Sequence, residues 1–176
     1  NVDIYISVFS SNHAHYNGAG FYCKDGNCNL ENVTITQNTT HCNNCMNGRG
    51  GAFLQNNANV SVLNSIIWDN FASSQVQFEG GSPSLLNISF SDFDGGQNEI
   101  NWLIDHGGGY LSADGELIWG DGNIDLDPLF ANEENGDFNL QILSPAINAG
   151  DPDSDLDPDG SIADMGALYY HCSEEF

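Results

Sequence analysis

An acidic run near the C-terminus, DPDSDLDPDG at residues 151–160, places a carboxylate at every second position until a glycine ends it. Oxygen ligands at alternate positions followed by a glycine form the first half of a calcium-binding loop. The twelfth position counted from Asp155 is Gly166 instead of glutamate, which excludes an EF-hand, while Asp164 can complete a shorter loop. The run therefore predicts Ca²⁺ as a cofactor, and a solvated acidic loop is the alternative. The candidate metal ligands are Asp151, Asp153, Asp155, Asp157, Asp159 and Asp164.

A second acidic pattern, DGNIDLDP at residues 121–128, places Asn123, Asp125 and Asp127 on one side of an extended segment. This spacing suits a second metal site. The same residues also fit a capped turn after which Phe130 enters the core. Both interpretations stay open from the sequence.

A pair of carboxylates occurs at Asp92 and Asp94 in the segment SDFDGG. On a strand, both project from the same side at a separation of about 6.5 to 7 Å. Glycoside hydrolysis uses two carboxylates about 5 to 9.5 Å apart. The pair is therefore the candidate catalytic group of a glycan-active enzyme, and a strand end that turns through two glycines is the alternative. Other weak candidates for chemistry are Asp105, His106, His13 and His15.

Four of the five cysteines occur as two local pairs. Cys23 and Cys28 bracket a four-residue turn, and Cys42 and Cys45 bracket two asparagines. This spacing favours disulfides in an oxidising compartment over a four-thiolate zinc site. Cys172 has no obvious partner in the sequence. An extracellular or cell-surface location follows, to which four N-glycosylation acceptor patterns add weak support, at Asn32, Asn38, Asn59 and Asn87.

The charge composition restricts the partners. The 176 residues contain 25 Asp plus Glu and 2 Lys plus Arg, a formal net charge of -23. Nucleic acids and anionic membrane surfaces need clustered cations, so neither is an expected partner. No apolar stretch reaches the roughly 18 to 20 residues that span a bilayer, so no membrane insertion is expected. The 40% hydrophobic fraction is too high for a disordered acidic tail and indicates one folded domain.

An internal repeat positions these groups. The segment starting GAGF at Gly18 aligns with the segment starting GGAF at Gly50, an offset of 32 residues (50 − 18), and Asn32 falls on Asn64. Both copies pass through alternating apolar residues, which is typical of strands, and a fixed period indicates a stacked architecture. The pattern predicts an all-β right-handed parallel β-helix with an asparagine ladder at Asn32 and Asn64. We expect one domain, with stacked coils at residues 1–120 and a terminal coil with irregular acidic loops at residues 121–176.

Residues 50–170 carry a family resemblance. The segments GGAFLQNNANVSVLNSIIWDN, NIDLDPLFAN, NGDFNLQILSPAINAGDP and DPDGSIADMGALYY occur in this order. The chain resembles the C-terminal part of secreted bacterial β-helix proteins of the pectate-lyase-like superfamily, of the kind that carries a variable cell-surface anchor. The resemblance implies the β-helix fold but no single activity. A lyase of that superfamily commonly uses an arginine or lysine base, and neither Lys24 nor Arg49 has an identifiable partner in the sequence.

The favoured function is that of a non-catalytic, calcium-stabilised structural or adhesive protein. The chain opens in the strand-rich segment NVDIYISVFSSN with no amphipathic helix before it, so the first coil has an unpaired backbone edge. Another subunit can cover that edge, and head-to-tail contacts generate filaments. The expected partners are copies of itself or cell-surface glycans. The alternatives are a glycan-active enzyme fragment, or a carbohydrate-binding module whose stacking platform is Trp68, Trp102 or Trp119.

Overall fold

The computed structural model describes residues 1–41, 50–72, 78–81, 84–102 and 115–171. These residues form strands and two short 3₁₀ helices, Gly96–Glu99 and Glu133–Asn135, and include no α-helix. The strands are β1 (Val2–Ser10), β2 (His13–Ala14), β3 (Phe21–Lys24), β4 (Asn27–Thr36), β5 (Thr39–Thr40), β6 (Phe53–Asn56), β7 (Asn59–Leu63), β8 (Ile66–Trp68), β9 (Phe71–Ala72), β10 (Phe78–Gly81), β11 (Ser84–Ser89), β12 (Asp92–Phe93), β13 (Ile100–Trp102), β14 (Gly115–Trp119), β15 (Phe130–Asn132) and β16 (Asp137–Leu140).

Three parallel sheets organise the chain. The first has the order β12-β8-β4-β7-β11-β14, with β1 also paired to β4, and it curls into a half-barrel. The second has the order β13-β10-β6-β3, and the third has the order β2-β5-β9. Only β15 and β16 pair antiparallel among the described strands. The all-β class and the parallel pairing predicted from the sequence are confirmed.

Successive passages of the chain through these sheets form five layers. Layer 1 contains β1 and β2, layer 2 contains β3 to β5, layer 3 contains β6 to β9, layer 4 contains β10 to β12, and layer 5 contains β13 and β14. The 32-residue repeat is confirmed between layers 2 and 3, where Asn27 pairs with Asn59. Layers 1 and 2 are offset by 26 residues (28 − 2), since Val2 pairs with Cys28. The period is not fixed because the connection from the third sheet to the second varies in length, and surface connections tolerate insertions.

Each layer bends at one residue with left-handed backbone in the first sheet. The bend residues and their φ angles are Ile6 (45°), Asn32 (51°), Asn64 (47°), Phe90 (46°) and Gly122 (72°). Asparagine and glycine tolerate this conformation, whereas isoleucine and phenylalanine are strained in it. The bend lies within β4, between β7 and β8, and between β11 and β12. Because it recurs at the same place in successive layers, the first sheet curls.

The predicted ladder between Asn32 and Asn64 is wrong. Both residues lie at the bend and turn outward, so Asn32 Nδ2 donates to the carbonyl of Asp164 at 3.1 Å and Asn64 Nδ2 donates to Ser154 Oγ at 3.1 Å. Alignment of the repeats showed that Asn32 and Asn64 are equivalent positions. It did not show the left-handed backbone at both residues, which directs their side chains away from each other.

An asparagine ladder forms instead at Asn12, Asn38 and Asn70, of which Asn38 and Asn70 are buried and Asn12 is exposed. Asn12 Nδ2 donates to Asn38 Oδ1 at 2.9 Å, and Asn38 Nδ2 donates to Asn70 Oδ1 at 2.9 Å. Each of these Oδ1 atoms also accepts the backbone N–H of the asparagine in the layer before it. Asn70 Nδ2 donates to the carbonyls of Ile35 and Trp68, so the buried amides are satisfied without water.

Two hydrophobic cores hold the layers together. The first lies inside the curl and stacks inward-facing residues such as Leu30, Val62 and Ile88 from successive layers. The second lies on the outer face of the first sheet, where Ile66 packs with residues of the C-terminal cover, which we define as residues 124–171. Its other buried members are Phe130, Phe138, Leu140, Ala146 and Met165.

Candidate functional site

Asp92 lies between the first sheet and the C-terminal cover. Strand β12 directs Phe93 into the inner core, and Asp92 pairs with Ile66 on one side and with Ile124 on the other. Side chains alternate across a strand, so Asp92 faces outward, where the cover encloses it. Its side chain is completely buried, with 0% exposure.

This burial gives Asp92 an unusual protonation state. The pKa of Asp92 is raised to about 7, mainly by loss of solvent, and the nearby carboxylates of Asp125, Asp94 and Asp127 contribute to the rise. The N–H of Leu126 donates to Asp92 Oδ1 at 3.2 Å and acts in the opposite direction. Asp92 Oδ2 is buried and receives no hydrogen bond from the described residues. A proton on this oxygen removes the cost of burying the charge.

The structure joins the two acidic patterns of the sequence. Asp94 Oδ2 accepts the N–H of Asp69 at 3.2 Å, Asp125 Oδ1 accepts the N–H of Gly95 at 3.0 Å, and Asp127 Oδ1 accepts the N–H of Leu129 at 2.9 Å. Each of these carboxylates organises a turn. The sequence identified Asp92 and Asp94 as one pair and Asp125 and Asp127 as another, but it gave no signal that layer 4 and the cover bring them together.

The arrangement supplies a group with the pKa of a general acid but not the access that catalysis needs. A catalytic acid must come within hydrogen-bonding distance of the substrate, and Asp92 has no exposed surface. The chemistry that the site supports is the storage of a proton between two packed parts of the fold.

Asn123, the third member of the second acidic pattern, forms hydrogen bonds with the backbone of layer 4. Its Oδ1 accepts the N–H of Ser91 at 3.1 Å, and its Nδ2 donates to the carbonyls of Ile88 and Gly120 at 2.9 and 3.1 Å. Between other layers, Ser65 Oγ and Ser91 Oγ accept backbone N–H groups in the same way, from Val33 and from Ser65. The capped-turn interpretation of this segment agrees with the structure, since Phe130 is buried in the outer core.

Asp164 is a buried hydrogen-bond acceptor at the end of the acidic segment, which we define as residues 151–164. It is 2% exposed, and its two carboxylate oxygens accept the N–H groups of Asn148 and Tyr170 at 2.7 and 2.5 Å. Its own N–H donates to Asp157 Oδ2 at 2.8 Å. Burial raises the pKa of both Asp157 and Asp164, and these backbone bonds oppose the rise. Asp164 therefore holds the loop ends together as a hydrogen-bond acceptor.

The other predicted calcium ligands do not converge on Asp164. Asp151 Oδ1 accepts the N–H of Asp153, and Asp159 Oδ1 accepts both the N–H and the hydroxyl of Ser161, which lowers the pKa of Asp159. In the described ranges, no three His, Cys, Asp or Glu side chains are placed to hold one metal ion. Asp155 is exposed, and calcium binding by this pool of carboxylates stays a prediction.

One predicted disulfide is present, between Cys23 and Cys28, and it closes the turn that contains the exposed Lys24. Cys42, Cys45 and Cys172 lie outside the described residues, as do Arg49, Asp105 and His106. Of the glycosylation candidates, Asn59 is exposed, Asn32 and Asn87 are half-buried, and Asn38 is fully buried in the ladder. A glycan on Asn38 is incompatible with its position in the folded chain.

The tryptophan and histidine candidates that the structure describes pack against other residues of the fold or pair within a sheet. Trp68 packs against the outer core, and Trp119 packs against the inner core with its ring edge-on to Phe93. Neither forms an open stacking platform, and the Trp102 side chain lies outside the described side chains. His13 pairs with Thr39 in the third sheet, and the ring of His15 contacts Tyr16.

Comparison with known proteins identifies no relative. No family model, no curated protein and no solved structure matches the chain. No helix among the described residues is long and apolar enough to cross a membrane. The resemblance to the pectate-lyase-like superfamily therefore stays a prediction.

Proposed function

We propose that the chain is a non-catalytic structural or adhesive protein of the extracellular space or cell surface, built as a right-handed parallel β-helix. The observation that carries this proposal is the use of the polar side chains. Asn38, Asn70 and Asn123 bond between layers, and Asp164 bonds backbone N–H groups within the cover. Polar groups committed in this way build a rigid scaffold.

The best catalytic candidate supports the same conclusion. Asp92 is sealed under the cover, and Asp94, its predicted partner, accepts a backbone N–H. The glycan-active enzyme therefore takes second place to the structural role.

The disulfide and the charge support an extracellular setting. Cys23 and Cys28 form a disulfide. Disulfides persist in oxidising compartments and are rare in reducing ones. A net charge of -23 keeps the chain soluble and repels anionic surfaces. Copies of itself remain the first proposed partner.

Calcium binding stays a prediction. Because Asp164 is committed to backbone N–H groups, the ligands would have to come from the rim of the acidic segment, where Asp153 and Asp155 are exposed. A titration followed by calorimetry checks this: saturable heat with Ca²⁺, lost in the variant Asp153→Asn with Asp155→Asn, supports a rim site. Absence of heat at millimolar Ca²⁺ contradicts calcium as a cofactor.

Glycan binding is a second candidate function because of one groove. The groove has a volume of about 490 Å³ and lies between β1 and the acidic segment, where Tyr5 and Tyr169 are both exposed. Carboxylates of Glu31, Asp155 and Asp157 line it as well. Aromatic rings that stack on sugars beside carboxylates that accept hydroxyl hydrogen bonds suit a neutral glycan. Loss of binding on a glycan array in Tyr169→Ala, but not in a Tyr16→Ala control, supports this role.

The main proposal is tested by incubating the purified chain with a panel of polysaccharides and measuring the reducing sugar released. We expect no release above a buffer control, while beads coated with the protein adhere to cells or to each other. Release of reducing sugar that disappears in Asp92→Asn would establish the enzyme instead.

A further inference from the structure

The C-terminal cover has a hydrophobic core that is largely its own. Five of the six buried members of the outer core belong to the cover, and the sixth, Ile66, comes from the first sheet. Trp68 of the sheet packs against this core from a partly buried position. Strands β15 and β16 of the cover pair with each other. Regions whose packing is mostly internal open as cooperative units, separately from the rest of a protein.

Hydrogen bonds also tie the cover to itself. The N–H of Gly150 donates to the carbonyl of Ala163 at 2.8 Å, and the N–H of Met165 donates to the carbonyl of Ala146 at 2.9 Å. Both carboxylate oxygens of Asp164 accept backbone N–H groups of the cover. None of these bonds involves the first sheet, so separation of the cover from the sheet leaves them intact.

The cover is fastened to the first sheet by hydrogen bonds along the bend. The N–H of Gly166 donates to the carbonyl of Asn64 at 2.8 Å, and the N–H of Asp151 donates to Asn64 Oδ1 at 2.7 Å. The N–H of Ala167 donates to Thr34 Oγ1 at 3.0 Å. Water replaces such bonds when the groups become exposed, so the net cost of breaking each one is modest.

Asp92 lies beneath the point where the chain enters the cover. It pairs with Ile124, whose N–H donates to the carbonyl of Ser91 at 2.9 Å, and its Oδ1 accepts the N–H of Leu126 at 3.2 Å. The neighbouring Phe93 points the opposite way, into the inner core. Movement of the cover therefore admits water to Asp92 without a change in the inner core.

An ionised Asp92 has no compensating charge among the described residues around it. The charged groups there are all carboxylates. They are Asp94 on its own strand, Asp125 and Asp127 in the cover, and Asp69 after β8. Lys24 lies in the turn between β3 and β4, and no hydrogen bond from the described residues reaches Asp92 Oδ2. Loss of the proton therefore leaves a buried charge that solvent relieves.

We propose that the cover is a lid that a proton on Asp92 keeps closed. When Asp92 loses this proton, the cover moves off the first sheet as a unit and the layers stay folded. The single bond from Leu126 and the like-charged neighbours favour this outcome over a rearrangement in place. The inference goes beyond the structural role and does not depend on association between copies of the chain.

Opening changes the surface that the protein presents. It uncovers Ile66 and Trp68 on the sheet, together with Phe130, Leu140 and Met165 on the cover. The inner core stays closed because its residues lie on the other side of the sheet. Exposed apolar patches are contact sites. The pH of the medium therefore controls a contact surface that is hidden in acid and is exposed more often above neutral pH.

The pH range follows from the two states of Asp92. Its pKa is about 7 in the closed protein and returns toward the ordinary value of 3.8 when the cover opens. The closed state binds the proton more tightly, so its advantage is fully present below pH 3.8 and is lost as the pH rises through 7. Between pH 5 and pH 8, the ratio of open to closed molecules should rise about a hundredfold.

Hydrogen exchange of single amides, followed by NMR at pH 5 and pH 8, tests the inference. The amides of Gly166 and Ala167 report on the joint between cover and sheet, and those of Asn38 and Phe71 report on the layers. After correction for the intrinsic pH dependence of exchange, the opening constants of the joint amides should rise about a hundredfold. At pH 8 they should exceed those of the layer amides, because global unfolding exposes all four alike.

Three variants assign the rise to Asp92. Asp92→Asn still accepts the N–H of Leu126 but has no proton to lose, so its joint amides should be about as protected at pH 8 as at pH 5. Asp125→Asn removes the strongest repelling charge, keeps an oxygen for the N–H of Gly95 and should show a smaller rise. His171→Gln, the control, removes the histidine of the cover and should keep the wild-type rise.

Three results would overturn the inference. Equal opening constants for joint and layer amides at pH 8 show that the cover opens only when the whole chain unfolds. A rise in Asp92→Asn as large as in wild type assigns the response to another group. Wild-type joint amides with the same opening constant at both pH values remove the response altogether. The first and third results need wild type alone, so they decide the question even where Asp92→Asn does not fold.

Discussion

The protonation of Asp92 makes stability depend on pH in a direction that most folded proteins do not show. The pKa of Asp92 is raised from 3.8 to about 7 by burial. A carboxyl whose folded-state pKa lies above its unfolded value binds its proton more tightly in the folded state. Its contribution is therefore fully present below pH 3.8 and is lost as the pH rises toward 7. The protein is expected to be more stable at pH 5 than at pH 8.

The magnitude follows from the size of the shift. One pKa unit corresponds to about 1.4 kcal/mol, so the shift of roughly three units corresponds to about 4 kcal/mol as an upper bound. Between pH 5 and pH 8, Asp92 alone lowers the free energy of unfolding by about 3 kcal/mol. Burial also raises the pKa of Asp157, Asp164 and Glu133, which adds to the same trend.

Asp92→Asn isolates this contribution. The amide oxygen can still accept the N–H of Leu126, while the amide never ionises. Urea unfolding at pH 5 and pH 8 should show a loss of stability in wild type that is about 3 kcal/mol larger than in the variant. Asp121→Asn, at an exposed carboxylate nearby, should keep the wild-type dependence. Parallel pH profiles for wild type and Asp92→Asn would refute the reasoning.

Three further predictions concern the scaffold. Asn70→Ala removes the side-chain donor to the carbonyls of Ile35 and Trp68 and the acceptor of the Asn38 N–H, and it should lower the free energy of unfolding by about 3 kcal/mol, measured in urea. The variant Asn59→Ala, at an exposed position, should cost under about 1 kcal/mol. Cys23→Ser opens a short disulfide loop and should cost about 2 kcal/mol in the same assay. Gly166→Ala should cost about 2 kcal/mol more than Gly160→Ala.

The glycine comparison separates packing from backbone strain. Both glycines have left-handed backbone, at φ 97° and 86°, so alanine is strained at either position. A Cβ at Gly166 would lie 2.8 Å from Ile66 Cδ1 in the outer core, whereas a Cβ at Gly160 meets nothing within 4 Å. Equal costs for the two variants would contradict close packing of the cover on the sheet.

Much of the fold could be predicted from the sequence because its signals are local. Alternating apolar residues in NVDIYISVF and SLLNISFSDF identified β1, β11 and β12, and the repeat alignment gave the register of Asn27 with Asn59. The variable offset could not be predicted, since a connection between layers can lengthen without changing the pattern within a strand. The bends at Ile6 and Phe90 were also missed, because those residues rarely adopt left-handed backbone.

In the candidate site, too, the sequence predicted the features that have a local signal and missed those that depend on distant residues. Asp92 was identified by its type and spacing, but its burial depends on the cover, whose Leu126 is 34 residues away in the sequence. Asp164 was assigned to calcium because carboxylates at alternate positions resemble ligands. Its partners are backbone N–H groups of Asn148 and Tyr170, and such groups have no sequence signature.

Electron microscopy of the purified chain in high salt tests the central claim most directly. If copies of the chain assemble, as the structural role proposes, ordered filaments are expected on the grid. Ordered filaments support a structural protein that associates with copies of itself. Dispersed single particles at every salt concentration, with no filaments, would contradict it.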